Sequence, residues 1–244
     1  SLRMRFILLL SLPSLLTATA LHPPQSSSTS KVKGPLTPHF QEWLNQNGYA
    51  SDKFARSDYG TQGSYGGKRN DDGKLVNAPV IFIHRNSDSA LGAGLFSGWT
   101  NSIQFFLEKG YTTAELYATS WGDINSLKSG LRTHDCETTQ RLRRFLLAVQ
   151  NYTKSDKVHI VGHSMGVTLG RKIVVGGKIT AADGNCDVGS PLLFDLWTSS
   201  LDWLGRTTGC AIVLETSTNQ LATTMMDSGQ GTIVETTRSA EQPL

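Results

Sequence analysis

Gly162-His163-Ser164-Met165-Gly166 sets a serine between two glycines. The apolar run Val158–Val161 precedes it and a helix-length apolar stretch, Val167–Val175, follows. A serine on a sharp strand-to-helix turn has its hydroxyl pushed up at the carboxyl edge of a sheet, near the positive end of a helix. Glycines on both sides let the backbone bend without a Cβ clash. The chemistry this permits is attack on an acyl carbonyl, with Ser164 as nucleophile and Gly162, His163 and Gly166 forming the turn. The plainer alternative is a tight turn whose small residues merely pack helix on strand. An attacked carbonyl develops an oxyanion that needs hydrogen-bond donors. The backbone N–H of Met165, directly after the serine, is one candidate. A loop after an earlier strand supplies the second: His84-Arg85-Asn86-Ser87-Asp88-Ser89 follows Val80–Ile83, and its position points to the Asn86 N–H.

Such a turn must be held by a sheet. Val80–Ile83 is continuously apolar behind Pro79, as suits a strand buried on both faces. Ile103, Phe106 and Leu107 recur at helical spacing, and Gly110 stands where that helix would stop. Tyr111–Tyr117 reads as a second strand and Val158–Val161 as a third. Between them Leu142, Phe145, Leu146 and Val149 form a helical stripe. Asp135 is its N-cap, with Arg141, Arg143 and Arg144 on the opposite face. Phe40, Trp43 and Leu44 suggest a short helix near the start of the domain. The alternation predicts an α/β fold: a mostly parallel sheet between helical layers, with its C-terminal strands lacking or altered. Residues 60–77, rich in Gly, Asn, Asp and Lys, read as a surface loop. After Pro191 the composition turns abruptly to Ser and Thr, as expected of a truncated or reading-frame-altered C-terminal half. Ala211–Leu214 is the one strand-like run in that tail.

The chain of 244 residues suits one α/β domain, and its formal charge of +3 gives no basic face for nucleic acid. Arg3 and Arg5, the apolar stretch Phe6–Leu16 and Ala18-Thr19-Ala20 have the layout of a cleaved secretory signal. The expected organisation is a signal at 1–20, a Pro/Ser/Thr-rich leader at 21–35, a core at 36–192 and a divergent tail at 193–244. Three cysteines, Cys136, Cys186 and Cys210, allow one disulfide and leave one thiol over; their spacing fits no zinc site. Asn151-Tyr152-Thr153 is a glycosylation sequon.

The chain resembles the secreted class 2 lipases of the nematode-type branch. Ala78–His84, Asn86-Ser87-Asp88-Ser89, Trp121-Gly122-Asp123, Leu131-Arg132-Thr133-His134-Asp135-Cys136 and Val161–Leu169 carry the resemblance, over about residues 35–192. It implies an α/β-hydrolase fold, hydrolysis of acyl esters such as acylglycerols, contact with a lipid–water interface, and no cofactor or metal. It implies Ser164 as nucleophile and Asn86 and Met165 at the oxyanion. Two departures stand out. Arg85 occupies a position where the family has glycine, a source of strain if φ there must be positive. In this fold an acid and then a histidine follow the serine, yet His22, His39, His84, His134, His159 and His163 all precede Ser164. His163 is adjacent to the serine and cannot turn back to it; His159 points from its strand into the layers; His84 suits a structural hydrogen bond. Asp187, Asp195, Asp202 and Asp227 are downstream acids with no base to orient, so the triad acid and base stay unassigned. A lipid-binding relative without turnover is the competing reading. A nucleotide-binding protein is excluded by motif context, since Gly176-Gly177-Lys178 is followed by Ile179 at a helix end. Leu192-Leu193-Phe194 and Leu201-Asp202-Trp203-Leu204 suit either a lid or core packing.

Overall fold

The computed structural model describes residues 32–94 and 96–192 in full, and the strands at 211–215, 223–226 and 233–236 through their backbone pairing. In chain order the elements are α1 (Pro38–Gln46), β1 (Ser64–Tyr65), β2 (Val80–Ile83), α2 (Thr100–Glu108), β3 (Leu116–Thr119), α3 (Cys136–Thr153), β4 (His159–His163), α4 (Met165–Val175), β5 (Lys178–Ala181), β6 (Gly184–Asp187), β7 (Ala211–Glu215), β8 (Thr223–Met226) and β9 (Ile233–Thr236). A five-stranded sheet runs β1-β3-β2-β4-β7, while β5–β6 and β8–β9 are separate hairpins.

The centre of the sheet, β3-β2-β4, is parallel, as the buried apolar runs require. Side chains alternate across it. Ile81, Ile83, Tyr117 and Ile160 face a core shared with α1, α3 and α4. Val80, Phe82, Leu116, Ala118 and Val161 face a second core shared with α2. Each large apolar side chain taken fully out of water contributes roughly 1.5–3 kcal/mol, so both faces of β2 are anchored.

α3 forms where the stripe predicts. Asp135 caps it by accepting from the Thr138 N–H, and Lys154 ends it in the left-handed region at φ 52°. The hairpin turn adds a second cap: the carboxylate of Asp183 accepts from the N–H groups of Cys136 (2.8 Å) and Glu137 (3.2 Å). These are donors left without intrahelical partners in the first turn. Cys136 and Cys186 are disulfide-bonded beside that cap, fixing β6 to the start of α3. The arrangement settles the pairing of two of the three cysteines.

Four sequence expectations need correction. Arg143 is not on an exposed face: it is 7% exposed. Its guanidinium donates to the carbonyls of Ile173, Val174 (3.3 Å) and Ser190 (2.6 Å). The first two are carbonyls of the last turn of α4, where a cation is favoured. Arg141 is half-buried on the carbonyls of Asp52 and Ser120, and burial pulls its guanidinium down to about 10. The second strand does not start at Tyr111. Residues 112–115 form a turn, because the buried carboxylate of Glu115 accepts from the N–H groups of Val76, Asn77 and Thr112 at 2.6–2.8 Å. Burial alone would raise that carboxyl, but the three donors hold it below the usual range. Residues 60–77 are not all surface loop, since β1 pairs antiparallel with β3 and is buried. Two residues are too few to show a period. The strand-like run of the tail is a strand, as expected: β7 pairs antiparallel with β4, Ala211 with His163 and Glu215 with His159, so the outer edge of β4 is covered. Residues 1–31, where the signal and the leader are expected, and Leu193, Phe194 and 201–204 lie outside the described residues; Leu192 packs on the α3–α4 core.

Candidate functional site

The parallel register aligns Ile83 with Gly162, so the chain leaves β2 and β4 at one carboxyl edge. From β4 it passes through Ser164 into α4. Ser164 has φ 54° and ψ −122° and its side chain is exposed. A non-glycine residue held in so sparsely populated a region costs about 1–3 kcal/mol and persists only where its surroundings over-determine it. Two glycines do so here. A Cβ on Gly162 would lie 2.8 Å from the Gly166 carbonyl oxygen and the Val167 nitrogen. A Cβ on Gly166 would overlap the Ile83 carbonyl oxygen and come within 2.7 Å of that of His84. The first turn of α4 is thus seated against the end of β2, and Met165 occupies the first helical position, where a backbone N–H has no intrahelical partner. His163 is half-buried, its ring 6.4 Å from that of Trp99. Burial and then Arg85 lower its imidazole, with Asp88 opposing.

The loop after β2 is fastened by several of its polar groups. His84 is 1% exposed. Its Nδ1 lies 2.6 Å from the Arg85 carbonyl, and its Nε2 accepts from the Trp121 N–H at 2.9 Å. The Trp121 indole N–H returns a bond to the His84 carbonyl at 2.8 Å, and the two rings stack. Both nitrogens are used, which makes His84 a strut, as its position suggested. The strain feared at Arg85 falls elsewhere: Ser87 is the loop residue in the left-handed region, at φ 62°, while Arg85 lays its guanidinium 3.7 Å over the Phe96 ring. The side chain of Asn86 is held from two sides, its amide donating to the Ser129 carbonyl (2.8 Å) and its oxygen accepting from Arg132 (2.6 Å). Arg132 also donates to Ser87 Oγ (2.9 Å) and to Asp123. One guanidinium therefore ties the loop to Gly122-Asp123. Sequence reading missed this hub, although Arg132 stood in a quoted motif; an arginine fork meeting several acceptors is a recurrent device.

Burial drives the His84 imidazole down to about 3 from its ordinary 6.5. The unfolded chain then takes up a proton first as pH falls. The contribution is complete above pH 6.5 and is lost progressively below it. Between pH 6.5 and 5, before most carboxylates titrate, His84 should cost the native state about 2 kcal/mol. Urea midpoints at the two pH values check this; a His84→Gln chain should show a shallower pH slope.

His134 has its Nε2 2.8 Å from Thr168 Oγ1, on the first turn of α4. His39 is distant from the turn in contact terms, bonded to Tyr152 (2.6 Å) and Asp71 (3.0 Å). Asp187 accepts from the Gly189 N–H in the hairpin. Asp195, Asp202, Asp227 and His22 lie outside the described residues. Among the described residues, no three His, Cys, Asp or Glu side chains cluster as metal ligands, and no helix is long and apolar enough to cross a membrane.

The geometry agrees with comparison to known proteins. The family model for lipase (class 2) matches residues 77–217, which includes β2, the strained serine turn and β7. No curated protein matches the chain. A match over more than half its length, on a mixed sheet with a parallel centre and flanking helices, means that this chain belongs to the class 2 lipase family.

Proposed function

We propose that this chain is a secreted serine ester hydrolase acting on acyl esters, acylglycerols among them, with Ser164 as its nucleophile. The observation that carries the reading is the exposed Ser164 at φ 54° on the turn between β4 and α4. Strain of this kind is retained where a side chain must be presented in one geometry. In the proposed reaction Ser164 Oγ attacks the acyl carbonyl carbon, its proton passing to a base. The N–H groups of Met165 and Asn86 receive the oxyanion. The ester C–O bond then breaks, the alcohol leaves with the proton, and water hydrolyses the acyl-enzyme to acid and free Ser164. The disulfide between Cys136 and Cys186 supports export, because such bonds persist in oxidising compartments.

A second reading has its own observation. No histidine follows Ser164 in the sequence, and a scaffold that holds lipid without turnover needs none. The purified chain, treated with an activated fluorophosphonate and assayed on p-nitrophenyl butyrate, separates the two. Covalent labelling at Ser164 with matching loss of turnover supports the hydrolase. An unlabelled Ser164 and no turnover, with retained binding of a fluorescent fatty-acid ester, supports the binding protein.

A further inference from the structure

The proposed hydrolase needs a proton acceptor, and the histidines preceding the serine in sequence can be sorted by where the fold puts them. Both nitrogens of His84 are committed within the core. His39 is bonded to Tyr152, near the C-terminal end of α3. His159 opens β4, four residues before the turn and so roughly 13 Å from His163 at strand rise. His163 precedes Ser164 directly and its ring lies with Trp99. His134 has its ring on a side chain of α4, the helix that Ser164 caps.

Thr168, its partner, is four residues beyond Ser164. α4 begins at Met165, directly after Ser164, so Thr168 stands on its first turn. Side chains on a helix also tilt toward its N-terminus, here toward the serine. The Thr168 hydroxyl lies 2.8 Å from His134 Nε2 and 3.0 Å from the Met165 carbonyl, and with the ring protonated at Nδ1 its one proton is given to Nε2. The histidine therefore rests on the first turn of the helix that follows Ser164, on a hydroxyl of the same kind as the one it would have to serve. Its backbone is firmly placed: Asp135 caps α3 and Cys136 is fixed by the Asp183 cap and the disulfide.

We infer that His134, supplied from the segment before α3, is the base that accepts the Ser164 proton. The inference rests on the hydrolase reading above. A neutral ring protonated at Nδ1 leaves Nε2 free to accept. Rotation about the Cα–Cβ bond exchanges the Thr168 hydroxyl for that of Ser164. The Ser164 O–H proton moves to Nε2 as Oγ bonds to the acyl carbon, and passes to the departing alkoxide when the ester bond breaks. In deacylation Nε2 takes a proton from water and returns it to Ser164 Oγ. Burial first, and then the Lys172 ammonium on α4, lower the imidazole and favour its neutral form; the Met165 carbonyl and Asp135 oppose them.

The test uses p-nitrophenyl acetate and the full chain carrying His134→Ala, His134→Gln or Ser164→Ala. Removing either member of a nucleophile–base pair costs about as much as removing both. His134→Ala is expected at the Ser164→Ala floor, at least about 10²-fold below the parent, and added imidazole should restore turnover in proportion to its concentration. His134→Gln keeps a donor for Thr168 but takes up no proton, so it too should sit at the floor. Either His134 variant within a few fold of the parent, with Ser164→Ala inactive, overturns the base and leaves the hydrolase intact; activity in the Gln variant alone assigns His134 a positioning role and likewise overturns it. A parent whose turnover does not depend on Ser164 overturns both.

Discussion

A Ser164→Ala chain is expected to lose ester hydrolysis, and the size of the loss reports how complete the catalytic apparatus is. Where serine, base and orienting acid act together, deleting the serine costs about 10⁶-fold in kcat, whereas lacking only the acid costs about 10⁴-fold. A serine and base working without an acid therefore keep only about 10²-fold for the substitution to remove. Asp183 and Asp187 are described downstream acids, the first engaged with the N–H groups of Cys136 and Glu137 and the second with that of Gly189. A fall near 10²-fold, measured as kcat for p-nitrophenyl butyrate, would mean an unassisted pair. A fall near 10⁶-fold would mean that an acid reaches the site from beyond Leu192. Equal rates in the two proteins would remove Ser164 from the reaction.

The second large effect is on stability. Gly166→Ala adds a single methyl, but the atoms it meets are the Ile83 and His84 carbonyl oxygens of the β2 end. Overpacking against side chains costs typically 1–3 kcal/mol because rotamers give way. Here the wall is strand backbone already paired to β3 and β4. The helix must instead withdraw, breaking the seat of the serine turn. A loss of at least about 3 kcal/mol is expected, read as a lowered urea midpoint with unchanged slope. An Ala variant as stable as the parent would show that α4 can slide without cost.

How much of this was legible beforehand follows from the range of each interaction. β2, α2, α3, β4 and α4 follow from periods and caps that lie within a few residues, such as Asp135 before the Leu142–Val149 stripe. The serine turn was legible because its glycines are adjacent to it. β1 was not, because two residues carry no period and their pairing with β3 is set more than fifty residues away. The start of β3 was misplaced since Glu115 makes its turn by collecting donors from Val76 and Asn77. Arg143 was placed outside because its type predicts exposure; the carbonyls of α4 that draw it inward belong to a later helix. At the site, the backbone turn at Ser164 and the loop after β2 follow from neighbouring residues, but the Arg132 hub and the His134–Thr168 contact are tertiary. Their partners lie 46 and 34 residues away.

The bond between Cys136 and Cys186 spans 50 residues and closes a covalent ring around α3, β4, Ser164 and α4. Within that ring the turn after α3 exposes Lys154 and Lys157. A trypsin-type protease that nicks the chain there would sever the polypeptide without parting its pieces. The nicked protein should run as one species on a gel without reductant and as two with it. The turn that presents Ser164 thus belongs to a loop with no loose end, and a single cut in it does not release the strand and helix that flank the serine.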